Sequence, residues 1–180
     1  MKVLLHVCCG PCTIYPFTVL QDEGMEVTGY FYNPNIHPYQ EFKRRLSTFE
    51  QYSNLSRLPV IMEKQYGLRE FVRKIAFHED ERCPICYQLR LEKTVALAKS
   101  MGFDAFSTTL LYSKYQRHTI LSEICNRLAV ENEIQFLYRD FREGWQFGVD
   151  RAIELNMYRQ PYCGCIYSEQ ERYDKSYRNK

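Results

Sequence analysis

The alternation of short apolar runs with amphipathic segments limits the fold of this chain more than any other sequence feature. The apolar runs predict buried strands at 3–7, 27–32, 58–62, 105–110 and 134–138. The segments between them have helical spacing of apolar residues and predict helices over 13–23, 39–55, 68–77, 84–101 and 116–131. Strands that alternate with helices form a parallel sheet covered by helices on both faces.

The chain has 180 residues, a length typical of one domain, and no repeat or Pro/Gly-rich linker separates a second unit. We predict a single α/β metal-binding catalytic domain over residues 1–180. It is expected to be Rossmann-like, with about five parallel strands and a helical extension from about residue 145, including a helix near 148–156. Ligands of such sheets bind at the carboxyl ends of the strands, where the strand order reverses. The loop after the first strand is therefore the expected site.

Seven of the eight cysteines fall into three short motifs. We call them the first, second and third cysteine motifs: Cys8-Cys9-Gly10-Pro11-Cys12, Cys83-Pro84-Ile85-Cys86 and Cys163-Gly164-Cys165. They are too far apart in the chain for a zinc ribbon, so the fold must bring them together. Because zinc takes four ligands, seven thiolates are too many for one zinc ion. They suit a 4Fe–4S cluster with four cysteine ligands and leave up to three thiolates for another role.

The amino-terminal residues contain only a brief apolar run, which does not resemble a secretory signal. No segment approaches the length of a membrane span, so no membrane partner is expected. These features predict a cytoplasmic protein. In that compartment clustered cysteines serve metal or redox chemistry more often than structural disulfides.

Other interpretations of the cysteines stay open at this point. Cys9-Gly10-Pro11-Cys12 resembles a thioredoxin-type redox turn, which indicates a thiol–disulfide redox protein, and a non-catalytic iron–sulfur or zinc module also fits. Adjacent side chains at a strand end point to opposite faces, so Cys8 and Cys9 are expected to serve different metals, or a metal and a substrate. Cys125, alone on a predicted helix, is expected to be core packing.

Basic and aromatic residues occur together in three stretches, although the net charge is only +2. RNA is bound by phosphate contacts and by stacking of bases on aromatic and guanidinium planes. A solvated charged surface is the ordinary alternative for each stretch taken alone. Ser107 and Thr108, at the end of the fourth strand, have hydroxyls that suit a phosphate or ribose. The basic residues predicted to contact a nucleic acid are Lys43, Arg44 and Arg45 on an exposed helix face, Lys114, Arg117 and Arg159.

Together the motifs resemble the QueH-type epoxyqueuosine reductases over about residues 3–168. The matching segments are the three cysteine motifs, Tyr32-Asn33-Pro34-Asn35-Ile36-His37-Pro38, Ser107-Thr108-Thr109-Leu110-Leu111 and Tyr158-Arg159-Gln160-Pro161-Tyr162. The resemblance implies reduction of an epoxide on the modified wobble base of a tRNA, without cobalamin and by iron–sulfur chemistry. It also implies an architecture similar to the PP-loop/HUP-like nucleotide-binding domains. Cysteines occupy the loop that binds phosphate in those proteins, so ATP is not expected.

The implied reaction needs two electrons and the removal of the epoxide oxygen as water. A 4Fe–4S cluster can deliver the electrons, and an additional single iron can polarise the oxygen. The expected cluster ligands come from Cys8, Cys9, Cys83, Cys86, Cys163 and Cys165, and Cys12 joins them as a metal ligand. An external electron donor is expected, because no dinucleotide-binding glycine motif follows any strand.

A proton donor must protonate the leaving oxygen. Its candidates are Tyr162, Tyr112, His37 and a water molecule. His6, inside the apolar first strand, is expected to be a core residue with satisfied hydrogen bonds.

Overall fold

The computed structural model describes residues 1–176. Residues 177–180, which the predicted domain includes, lie outside the described residues. The strands are β1 (Lys2–His6), β2 (Glu26–Phe31), β3 (Val60–Met62), β4 (Ala105–Thr108) and β5 (Gln135–Phe136). The helices are α1 (Gly10–Asp22), α2 (Tyr39–Ser56), α3 (Leu68–Ile75), α4 (Arg82–Ser100), α5 (His118–Glu131), α6 (Trp145–Glu154) and α7 (Ile166–Tyr173).

All five strands are parallel and form one sheet in the order β3-β2-β1-β4-β5. Helix α1 packs against α2 and α6, and α4 packs against α5, so that both faces of the sheet are covered. The central strand β1 is consequently buried on both sides, and Val3, Leu4 and Leu5 have no exposed surface. The predicted parallel α/β architecture is confirmed. The strand order reverses between β1 and β4, which places the ligand crevice after these two strands.

The structure differs from the predicted elements mainly beside this crevice. Strand β4 ends at Thr108, and Thr109–Tyr112 form a short 3-10 helix that the apolar pattern assigned partly to the strand. The Thr108 hydroxyl accepts a hydrogen bond from the Leu110 amide, which caps this turn. Helix α7 forms within the predicted helical extension, in a polar stretch for which the apolar spacing gave no separate helix. Among residues 1–176, no helix has the length and apolar character to cross a membrane.

The first cysteine motif forms the turn from β1 into α1. Cys9 is extended and caps the helix, since its sulfur accepts a hydrogen bond from the Cys12 amide. Glycine at position 10 lets α1 approach its neighbours closely: a Cβ atom there would lie 2.7 Å from Met157 Cε and 3.0 Å from the Thr48 carbonyl oxygen. The turn therefore brings the cysteines to the end of β1 with little bulk around them.

Candidate metal centre

The three sulfur atoms of the first motif converge on one point. The Sγ atoms of Cys8, Cys9 and Cys12 all lie within 4.8 Å of one another, and those of Cys8 and Cys9 are 3.8 Å apart. The prediction that Cys8 and Cys9 face opposite directions is wrong, because β1 ends at His6 and the pleat does not continue through them. Three thiolates so arranged can bind a single metal ion.

Polar groups from distant segments hold these sulfur atoms. The Thr109 hydroxyl donates to Cys8 Sγ at 3.3 Å, and the Gln160 amide nitrogen lies 2.9 Å from Cys9 Sγ and 3.2 Å from Cys12 Sγ. Hydrogen bonds from the Cys12 and Cys9 thiols lower the pKa of Cys8 well below its usual value, whereas burial raises the pKa of Cys9. The group thus favours one thiolate, and a bound metal would displace the remaining protons.

The second and third motifs form another group of four cysteines. Cys83 and Cys86 lie in the first turn of α4, three positions apart and therefore on one face of the helix. Cys165 caps α7 and packs with Cys86 in a small apolar cluster that includes Phe71. Burial raises the pKa of the Cys86 thiol to about 12. These cysteines are held by packing between helices rather than by a common loop.

Cys163, the fourth member of this group, is exposed. Its sulfur accepts a hydrogen bond from the Gln116 amide at 3.4 Å, and Gln116 also accepts one from the Tyr87 hydroxyl at 2.8 Å. Gln116 stands two residues before α5, so this contact links the third motif to the segment between β4 and α5. The cysteine group therefore opens to the surface on the side of Cys163.

Arg45 fastens the third motif to helix α2. Its side chain is only 2 % exposed and forms an ion pair with Glu41 at 2.7 Å. Its Nη1 and Nη2 atoms donate to the carbonyl oxygens of Cys163 at 2.8 Å and Tyr162 at 2.9 Å. The prediction that Arg45 lies on an exposed, RNA-binding helix face is wrong. The residue lies instead on the buried face of α2, because these partners compensate its charge.

Arg90 is a second buried arginine, also 2 % exposed, on the face of α4 that carries Cys86. Its Nε atom donates to the Cys86 carbonyl at 3.2 Å. Burial by itself lowers the pKa of Arg90, but the charges of Cys86, Cys163 and Cys8 raise it. Arg90 therefore lies near sulfur atoms from all three motifs. This position of Arg90, and the bonds from Arg45 to the third motif, show that the fold brings the motifs to the same crevice.

The hydroxyls predicted to bind a phosphate or ribose are not accessible. Ser107 and Thr108 have no exposed surface, and the Thr108 hydroxyl is bonded to His6 Nδ1 at 2.9 Å. Binding of a phosphate or ribose is therefore excluded for both residues, because both side chains are buried between the sheet and the helices that cover its two faces. The next residue, Thr109, is the one that reaches the cysteines. The other His6 nitrogen lies 3.2 Å from the Tyr32 carbonyl, so His6 is a satisfied core residue as predicted.

The three predicted proton donors all bind backbone carbonyls. The Tyr162 hydroxyl donates to the His37 carbonyl, and the Tyr112 hydroxyl donates to the Trp145 carbonyl at 2.9 Å. The His37 ring packs against aromatic side chains, not against the cysteines, and its Nε2 lies 3.1 Å from the Pro34 carbonyl. Burial lowers the pKa of His37 to about 4, so that it is neutral at physiological pH.

Tyr112 is the predicted proton donor whose pKa is affected by the cysteines of the first motif. Burial raises its pKa most, and the charges of Cys12, Cys9 and Cys8 raise it further. A phenol in this setting keeps its proton. Its ring is stacked on Trp145 at a centroid distance of 5.2 Å, which fixes its direction.

The remaining predicted cations are exposed and several lie over aromatic rings. Lys43 lies over Tyr39 at 5.9 Å, and Arg44 lies over Tyr158 at 5.7 Å. Lys114 likewise lies over Trp145, 5.7 Å from the ring centroid. Arg117 and Arg159 complete the exposed set. Each stretch thus pairs positive charge with an aromatic plane, the combination that binds phosphates and bases.

Sequence reasoning missed the residues that support the sulfur atoms, namely Thr109, Gln116, Gln160 and Arg90. The first three lie inside stretches selected for other reasons, so their position was indicated but their role was not. Arg90 follows Cys86 by four residues and therefore lies on the same helical face. That spacing is the sequence feature that indicated a position of Arg90 beside the second motif.

The fold and the site define the class of protein: a parallel α/β domain with thiolate metal ligands at its switch-point crevice. The family described as "Epoxyqueuosine reductase QueH" matches residues 3–171, and the chain belongs to this family. The predicted resemblance and enzyme class, an oxidoreductase of tRNA queuosine biosynthesis, are thereby confirmed. The thiol–disulfide and non-catalytic alternatives are not favoured.

Individual relatives are similar in sequence over nearly the whole chain. The epoxyqueuosine reductase QueH of Dehalococcoides mccartyi is 38% identical over 174 residues, which cover 97% of this chain and 96% of the relative. That of Thermotoga maritima is 32% identical over 186 residues, covering 96% and 93%. The crystal structure of a predicted tRNA methyltransferase subunit from Methanocaldococcus jannaschii has a TM-score of 0.58 and 14% identity, covering 86% of this chain and 76% of that one. This last likeness concerns the fold alone.

Proposed function

We propose that this protein reduces the epoxide of epoxyqueuosine, at the wobble position of tRNA, to the alkene of queuosine. The observation that carries the proposal is the convergence of Cys8, Cys9 and Cys12 in the switch-point crevice of a chain from this family. Overall, the reaction consumes two electrons and two protons and releases the epoxide oxygen as water. An external reductant supplies the electrons.

The two cysteine groups fit two different metal centres. A single ion needs ligands that point to one place, as the sulfur atoms of the first motif do. A 4Fe–4S cluster needs thiolates further apart, since each binds a different iron atom, and the second and third motifs provide four. We therefore assign a single iron to the first motif and the cluster to Cys83, Cys86, Cys163 and Cys165. When bound, the cluster supplies electrons and the single iron supplies Lewis acidity.

The chain's own residues orient the ligands and hold the proton. Gln160 and Thr109 fix the directions of the sulfur atoms in the first motif. Among the predicted donors we favour Tyr112 over Tyr162 and His37, because Tyr112 lies near Cys12, Cys9 and Cys8 of the first motif. Its hydroxyl would leave the Trp145 carbonyl and give its proton to the leaving oxygen. The proposal involves neither cobalamin nor ATP.

The function and the metal count can be tested on anaerobically reconstituted protein. We expect turnover of an anticodon stem-loop carrying epoxyqueuosine, and about one iron per chain in excess over acid-labile sulfide. Tyr112→Phe should have the same metal content and a turnover lower by about 10²-fold or more. Full turnover with equal iron and sulfide would contradict the second metal. A colourless protein with one zinc and no turnover would contradict the function itself.

Binding of tRNA is expected to depend on local cation–aromatic pairs. Replacing Lys43 and Arg44 together by glutamine removes two exposed charges beside aromatic rings. Because each lost phosphate contact reduces the slope of log affinity against log salt by about 1, the double variant should bind an anticodon stem-loop more weakly and with a shallower salt dependence. Fluorescence anisotropy over a range of salt concentrations measures both quantities.

The matched control is the double replacement Lys93→Gln and Lys99→Gln. It removes the same charge from the exposed side of α4, away from the predicted contacts. It should leave the affinity and the salt slope near those of the parent. Equal weakening in both double variants would mean that bulk charge, not this helix face, attracts the RNA.

A further inference from the structure

Arg90 has an unusual set of partners for a buried arginine. Its Nε atom donates to the Cys86 carbonyl, but its buried Nη2 atom has no hydrogen-bond partner among residues 1–176. It also forms no ion pair with a carboxylate within this part of the chain. A buried charge with free donors is costly unless a negative group compensates it. A negatively charged group beside Arg90 would compensate this charge.

The groups that face Arg90 come from several elements. They are the thiols of Cys86 on α4, Cys163 before α7 and Cys8 after β1, together with the phenol of Tyr87. His6 of β1 also lies near Arg90: burial, followed by the charge of Arg90, lowers the pKa of His6 to about 3. His6 is therefore neutral. The permanent charge of Arg90 therefore lies near sulfur atoms of all three cysteine motifs.

Arg45, the other buried arginine of the crevice, also lies near cysteines, Cys9 and Cys163, but it differs from Arg90 in having a carboxylate partner. Its charge is balanced by Glu41 at 2.7 Å, and its two Nη atoms are bonded to the carbonyls of the third motif. The ion pair contributes little net charge to its surroundings. Arg90 consequently provides a positive charge that no carboxylate among residues 1–176 balances. Arg45, by contrast, holds the third motif against α2.

We propose that Arg90 is a positioning residue that raises the reduction potential of the iron–sulfur cluster held by the second and third motifs. The inference rests on the cluster assignment made under the proposed function. Each electron that enters the cluster adds one negative charge, and a nearby cation stabilises the reduced form more than the oxidised form. The effect is strong where water is excluded. The free N–H groups of Nη2 add hydrogen-bond donors, which also tune cluster potentials.

The test is a spectroelectrochemical titration of the anaerobically reconstituted full chain, with dithionite as the electron source. In Arg90→Gln we expect the equilibrium constant for one-electron reduction to fall about tenfold, which lowers the midpoint potential by about 59 mV. Arg90→Lys retains the charge and should stay closer to the parent than to Arg90→Gln. Lys93→Gln removes a charge from the exposed side of the same helix and should leave the potential unchanged.

Iron and sulfide are measured in every preparation. If the parent protein holds no cluster, the cofactor assignment fails, and the role of Arg90 fails with it. If Arg90→Gln holds a full cluster at the parent potential, only the role of Arg90 is overturned. If Arg90→Gln cannot hold the cluster, Arg90→Lys decides. A full cluster near the parent potential in Arg90→Lys supports the role of the Arg90 charge. Loss of the cluster, or a large drop in its potential, overturns that role.

Discussion

Replacing Cys83 or Cys86 by alanine is expected to reduce cluster iron and sulfide to background and to abolish epoxide reduction. The two thiols occupy one face of the first turn of α4, and each would bind a different iron atom of the proposed cluster. No other sulfur is held in the same geometry by that helix. Anaerobic reconstitution, followed by iron and sulfide analysis and a turnover assay, measures the effect.

Cys125→Ala is the matched control for these variants. Cys125 is fully buried on α5 in the main hydrophobic core, where burial raises the pKa of its thiol, and it belongs to none of the three cysteine motifs. The variant should keep its metal and activity and lose only about 1 kcal/mol of unfolding free energy. A metal-free Cys125→Ala protein would contradict the assignment of this residue to packing.

Arg45→Met is expected to destabilise the protein by about 3–5 kcal/mol, because it leaves the buried Glu41 carboxylate without its cationic partner. It also frees the carbonyls of Tyr162 and Cys163, so the third motif should bind metal poorly. Urea unfolding of the metal-free protein gives the free energy, and metal analysis after reconstitution gives the second effect. Both measurements are independent of substrate.

The neighbouring Arg44→Met is the control, since Arg44 is exposed and lies over the ring of Tyr158. It should change the unfolding free energy by less than about 1 kcal/mol. Combining Arg45→Met with Glu41→Gln should recover part of the loss, because the buried carboxylate is then absent. If Arg45→Met were as stable as Arg44→Met, the ion pair would not fasten the third motif.

Much of the fold was predictable because it depends on local patterns. A parallel strand covered on both faces is a continuous apolar run, and β1 shows this over Val3–Leu5. Gly24 and Gly102 stand directly after the predicted helices 13–23 and 84–101, and they adopt φ values of 75° and 71°, which other residues seldom reach. Strand β4 ends two residues before its predicted end and α7 had no predicted bounds; at both places side-chain caps, by Thr108 and Cys165, decided the local structure.

The sequence by itself determined the cysteine motifs, the strand–helix order and the family, because these are properties of residue type and spacing. Only the tertiary structure decided which sulfur atoms lie together and that Arg45 is buried. Helical periodicity assigns a charged residue to the solvent side. It places Glu41 and Arg45 on one face of α2, four residues apart, but it cannot show that the carbonyls of the third motif lie against that face. Those carbonyls are more than a hundred residues from Arg45 in the chain. Only the folded sheet, with its strand order β3-β2-β1-β4-β5, brings the two segments together.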